Sequence, residues 1–108
     1  MRIVRLKPYL RAVKRMGFDE VAMRELELRI ATAPEAHPLM QGLKGVRKAR
    51  FALPGRGKSG GGRLIYYWSV GDAIYMMTAF PKNERDDLSP EQRKAILAVL
   101  EALKESRR

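Results

Sequence analysis

The sequence predicts an α+β domain in which an N-terminal strand and a helix hairpin pack on a small, mostly antiparallel sheet, with a helix at the C-terminal end. Three observations predict it. Apolar residues step by four through Phe18, Ala22, Leu26 and Ile30, the spacing of one helix face. Side chains alternate in type from Val46 to Leu53, the period of a strand. Ser89-Pro90-Glu91-Gln92 then opens a second apolar stripe, Ile96, Val99, Leu100 and Leu103, with the chemistry of a helix start.

The elements follow in order. Ile3, Val4 and Leu6 predict a short first strand ended by Pro8. Tyr9, Val13 and Met16, with Arg11, Lys14 and Arg15 between them, predict a short helix that stops at Gly17. The second helix begins near Phe18, carries Glu20, Arg24 and Glu27 opposite its apolar face, and is closed by Pro34 and Pro38. Two helices joined at a glycine form a hairpin whose apolar faces need a sheet to cover. In the strand Val46 to Leu53, Ala49, Phe51 and Leu53 share one face, while Lys48 and Arg50 share the other. Arg63 to Val70 is the next strand, with Arg63, Ile65 and Tyr67 on one face. Gly71-Asp72 supplies a tight turn into a strand from Ala73 to Phe80, which makes the pair an antiparallel hairpin. In the last helix Ser89 is the N-cap, Pro90 takes the first helical position, and Gln92 completes a capping box.

Composition bounds the function. At 108 residues the chain is one domain, residues 1–108. With 45% hydrophobic and 31% charged residues it has the content of a folded protein rather than a disordered one. Its 22 Lys and Arg against 12 Asp and Glu give a net charge of +10, which attracts polyanions and above all nucleic acid. No cysteine is present, which excludes disulfides and thiolate metal sites. The single histidine, His37, lies between Ala36 and Pro38 and reads as a surface loop residue. The first residues mix charges with apolar side chains, unlike a signal peptide, and no apolar run approaches a membrane span. A soluble cytoplasmic protein with no membrane partner is expected.

Two tempting motifs fail. Gly57-Lys58-Ser59 suggests a phosphate-binding loop, but that motif needs an earlier glycine where this chain has Ala52, and a helix where a strand follows. Glu84, Asp86 and Asp87 suggest a metal site, yet acidic residues beside a helix start are accounted for by the helix dipole. No metal and no small-molecule cofactor are expected. What remains is a cationic constellation of Lys48, Arg50, Lys58, Arg63 and Lys82. The hairpin returns on itself, so positions 63 and 82 fall at the same edge of the sheet. Phe80 and Tyr67 lie nearby as rings for a base to stack on. In RNA the 2′-hydroxyl can attack the adjacent phosphorus. Arginines stabilise the charge that develops, and a lysine crowded by cations can transfer protons.

The segments Gly42-Leu43-Lys44-Gly45-Val46-Arg47-Lys48-Ala49-Arg50, Gly60-Gly61-Gly62-Arg63-Leu64-Ile65-Tyr66-Tyr67 and Lys82-Asn83-Glu84-Arg85-Asp86-Asp87-Leu88-Ser89, in this order of elements, resemble the RelE/HigB-type toxins of bacterial type II toxin–antitoxin systems, the HigB branch in particular. The resemblance implies a RelE-like fold and a ribosome-dependent endoribonuclease that inhibits translation by cutting mRNA in the A site, beside 16S rRNA. It implies neutralisation by a cognate antitoxin, a helix-turn-helix protein in this branch. Carried over by position, it implies catalytic roles for Lys48, Arg50, Arg63 and Lys82, and an RNA-facing aromatic at Phe80. Lys58 and Tyr67 are assigned to RNA on charge and position alone. Many relatives have tyrosine where this chain has Phe80 and a small residue where it has Pro81. A non-catalytic RNA- or ribosome-binding module of the same fold is the alternative, and a DNA-binding protein a third, which lacks a recognition-helix signal.

Overall fold

The computed structural model describes residues 2–54, 61–85 and 87–106. Along them run β1 (Arg2–Arg5), α1 (Lys7–Arg15), α2 (Glu20–Thr32), β2 (Val46–Phe51), β3 (Gly62–Ser69), β4 (Ala73–Pro81) and α3 (Pro90–Ser106). The strands form one mixed sheet in the order β1-β4-β3-β2. β2, β3 and β4 are antiparallel neighbours, and β1 joins β4 in parallel. The expected α+β architecture is present.

Both faces of the sheet are covered. On one, Tyr9, Val13, Met23, Leu26 and Ile30 of the helix hairpin pack on Ala49, Phe51, Leu64, Tyr66, Ile74 and Met76. On the other, Ile96 and Leu100 of α3, with Met40, Leu43 and Leu88, pack on Val46, Ile65, Met77 and Phe80. Burial on both sides explains why β3 and β4 read as nearly continuous apolar runs. Each fully buried Leu, Ile or Phe contributes about 1.5–3 kcal/mol, so the two clusters together dominate the stabilisation.

Local signals account for most boundaries. The capping box forms as expected: the Gln92 backbone N–H donates to Ser89 Oγ at 3.1 Å, and the Ser89 N–H donates to Gln92 Oε1 at 3.0 Å. Gly71 adopts φ +77° in the turn between β3 and β4, where a residue with a side chain would be strained. Three expectations are corrected. Pro8 lies in the first turn of α1, where its missing N–H costs nothing, so the strand ends earlier, at Arg5. α2 starts at Glu20 because Asp19 caps it, accepting from the Ala22 N–H at 2.8 Å. Glu27 does not face solvent with Glu20 and Arg24; it is buried at 3% exposure, because Arg5 and Tyr9 meet it there.

Two irregularities shape one end of the sheet. The pairing of β3 with β4 shifts between Ile65 and Tyr66, leaving Met77 as the extra residue of a bulge. The shift keeps Arg63 and Phe80 opposite one another. The segment 38–40 lies along the outer edge of β2, with the Lys48 N–H donating to the Pro38 carbonyl at 3.0 Å and the Met40 N–H to the Val46 carbonyl at 2.8 Å.

A cationic cleft as the candidate functional site

Strand alternation sends Val46, Lys48 and Arg50 to the α3 side of the sheet, and the register decides what they meet. Arg50 stands opposite Arg63, and Arg63 opposite Phe80. One step along, Lys48 stands opposite Ile65. Directly opposed residues on adjacent antiparallel strands lie about 4.5–5.5 Å apart at their β-carbons, where like charges repel. The register thus sets two guanidinium groups side by side. α3 covers the rows through Ile65 and beyond and leaves the arginine row to a cleft of about 350 Å³ lined by His37, Pro38, Lys48, Arg50 and Arg63. No carboxylate is among the described residues that line it.

Arg63 is less exposed than a residue at the head of a strand would suggest. It is 4% exposed, and its Nη1 donates to the Gly62 carbonyl at 3.0 Å. Close packing at the preceding glycines brings β3 onto β2 here. A β-carbon on Gly62 would lie 2.3 Å from Phe51 Cζ, and one on Gly61 would lie 2.1 Å from the Phe51 carbonyl oxygen. Only glycine allows the two strands to meet this tightly before Arg63. Arg50 is exposed and Lys48 half-buried, so the cleft has a buried cation at its base and accessible cations on its β2 wall.

The remaining expected residues are distributed differently. Lys82 is exposed at the same end of the sheet, and its backbone N–H donates to the Gly61 carbonyl at 3.0 Å. It does not line the cleft. Phe80 is buried at 4% exposure within the cluster beneath α3; it is an apolar support behind Arg63 rather than an open stacking surface. Tyr67 lies four residues further along β3, about 13 Å at strand rise. It stacks with Tyr75 at 6.3 Å between ring centroids, with Lys104 Nζ 6.0 Å from its own centroid. The structure therefore does not bring Tyr67 to the cleft. Lys58 lies outside the described residues.

His37 is the residue that sequence reasoning missed. It lines the cleft beside Lys48, Arg50 and Arg63. Its carbonyl accepts from Arg47 Nη1 at 2.7 Å, and its ring meets Tyr66 edge-on at 6.2 Å. The signal was non-local: the segment reaches the site only because Pro38 and Met40 bond to the edge of β2. Among the described residues no three His, Asp or Glu side chains gather as a cation site. No helix among them is long and apolar enough to cross a membrane.

Comparisons with known proteins agree with this arrangement at the level of fold and family. A family model described as the RelE toxin of the RelE/RelB toxin–antitoxin system matches residues 1–107. The solved structure of E. coli toxin RelE in the free state, as a mutant with two arginines replaced by alanine, is similar with a TM-score of 0.50 at 17% identity, covering 77% of this chain and 84% of that one. At that identity the structural likeness speaks to the fold alone.

Proposed function

The chain belongs to the RelE toxin family, and from that premise we propose that it is a ribosome-dependent endoribonuclease that cuts mRNA in the A site and thereby blocks translation. The observation that carries this reading is the opposed pair Arg50 and Arg63 in a cleft with Lys48 and His37. Such a cluster suits a phosphate passing through a more highly charged transition state. The RNA 2′-hydroxyl attacks the adjacent phosphorus, the bond from phosphorus to the 5′-oxygen breaks, and a cyclic phosphate and a 5′-hydroxyl result. Arg63 faces the charge that builds on the non-bridging oxygens, while Arg50 and Lys48 hold the phosphate. One proton leaves the 2′-hydroxyl and one must reach the departing 5′-oxygen. His37 is the cleft residue suited to such transfers, with Lys82 the nearby exposed alternative. No metal enters this scheme.

A substrate on the ribosome implies contact with 16S rRNA and a cytoplasmic site of action. The family implies an antitoxin; the resemblance of three segments to the HigB branch favours a helix-turn-helix partner. The test is primer extension on one mRNA in a reconstituted translation system, with and without ribosomes, for the wild type and Arg63→Ala. New 5′ ends that need both ribosomes and Arg63 support the reading. Translation blocked without new ends would favour a non-catalytic ribosome-binding module instead, and cuts in naked RNA would remove the ribosome from the account.

A further inference from the structure

The geometry points to a base-reading subsite next to the phosphate cleft, one that selects nucleotides whose base carries an exocyclic amino group. This inference rests on the RNA-cleavage reading above. A second cleft, of about 470 Å³, includes Leu39, Gln41, Asp87 and Arg93, and it shares Pro38 and Lys48 with the first. A strand of RNA with its phosphate at Lys48 therefore has one neighbouring nucleotide within reach of this second space.

The chemistry of the two clefts differs in a way that suits two parts of a nucleotide. The first is lined by cations and carries no carboxylate among its described residues. The second contains Asp87, whose side chain is 58% exposed. A carboxylate in a groove that holds a polyanion weakens phosphate binding, and its compensating use is to accept hydrogen bonds from a base edge. Asp87 is also held in place. Its Oδ1 accepts from the Leu88 N–H at 2.7 Å and lies 4.0 Å from Arg93 Nη1. Arg93 in turn donates from Nη2 to the Gln41 carbonyl. The arrangement fixes one carboxylate oxygen and leaves Oδ2 to meet a ligand. Leu39, 60% exposed, supplies an apolar platform for the face of a base, and Gln41 a further donor and acceptor.

Adenine, cytosine and guanine each present an exocyclic amino group to such a carboxylate, whereas uracil offers only its N3–H, flanked on both sides by carbonyl oxygens that a carboxylate repels. The expected consequence is discrimination against uridine at one position flanking the cut. A single reading contact of this kind is worth about tenfold.

The experiment is sequencing of the 5′ ends produced from a pool of translated mRNAs by the wild type, Asp87→Asn, Asp87→Glu and Arg63→Ala. The wild type should cut about tenfold less often where that position is uridine. Asp87→Asn, whose amide can donate to uracil, should bring this ratio to about twofold or less, while Asp87→Glu should retain most of it. Arg63→Ala should lower cutting at all sequences without changing the profile, whereas Asp87→Asn should change the profile, which a loss of folding would not do. Identical profiles for the wild type and Asp87→Asn would overturn the inference while leaving the cleavage reading intact. If the wild type makes no cuts, that reading fails and equilibrium binding of short RNAs decides the subsite. Tighter binding of adenosine- than uridine-containing trinucleotides, lost in Asp87→Asn, would support it, and equal binding would overturn it.

Discussion

Replacing Glu27 with alanine should cost about 3 kcal/mol of folding stability, more than an ordinary surface helix position. Its carboxylate takes three short hydrogen bonds: from Arg5 Nε at 2.8 Å, from Arg5 Nη2 at 2.9 Å and from the Tyr9 hydroxyl at 2.8 Å. The Glu27 side chain is 4% exposed and that of Arg5 25%. Tyr9 is fully buried. Removing one partner of a buried ion pair costs about 3–5 kcal/mol, and an orphaned buried hydroxyl accounts for about 1–3 of such a loss. Arg5 softens the penalty because it keeps Glu20, at 2.6 and 3.1 Å, and retains contact with solvent. The lower end of the range follows. Urea unfolding measures it: with a slope of about 1–3 kcal/mol per molar for small proteins, the midpoint should fall by at least about 1 M with the slope unchanged. Tyr9→Phe in the Glu27→Ala background should cost less than in the wild type, since its acceptor is already gone. A loss below about 1 kcal/mol, or strict additivity of the two changes, would refute the idea that this network pins the helix hairpin to β1.

Further predictions come from other parts of the fold. Gly62→Ala drives a β-carbon into the Phe51 ring, which is itself held edge-on by Phe18 at 5.4 Å. It should cost about 1–3 kcal/mol, lowering Tm by about 4–8 °C for each kcal/mol, and an unchanged Tm in calorimetry would contradict it. Burial pushes the Tyr66 hydroxyl up to about 12, and burial followed by the hydrogen bond to Glu27 raises Tyr9 as well. Both favour the neutral phenol in the folded state. Both contributions are fully present below the ordinary value of 10.0; that of Tyr66 is lost as pH rises from there through about 12, and that of Tyr9 declines over the same range and beyond it. Urea midpoints should decline across that window, and a flat profile would count against it. His37→Ala should slow cleavage by about 10²–10⁴-fold with ribosome binding retained, as read by single-turnover kinetics beside a binding assay. An unchanged rate would pass the proton transfers to Lys82 or Lys48.

Elements whose signals are local were legible in the sequence. Ser89 and Gln92 lie three residues apart and satisfy one another's backbones. Lys48 and Arg50 share a face because strand side chains alternate. The cross-strand meeting of Arg50 with Arg63 is different in kind, since register depends on how closely Gly61 and Gly62 approach Phe51. Position alone put Arg63 at an open rim, but it is buried in a cleft that it shares with Pro38, part of the segment 38–40 that lies along β2. The same segment carries His37 into the cleft, and nothing within its own few residues announces that destination. Phe80 and Tyr67 looked available to a base because β3 and β4 gave no sign of which apolar side chains α3 would cover. Glu27 was read as solvated from its charge, whereas its burial required a guanidinium from β1 and a hydroxyl from α1.

The most direct test of the central claim is the single-turnover rate of mRNA cleavage on purified ribosome complexes at saturating protein, compared between the wild type and Arg63→Ala. Loss of a group that faces developing charge should lower the saturated rate by about 10²–10³-fold, with a much smaller change in the concentration needed to reach saturation. A saturated rate equal to that of the wild type would contradict the account and make Arg63 a residue of binding or folding alone.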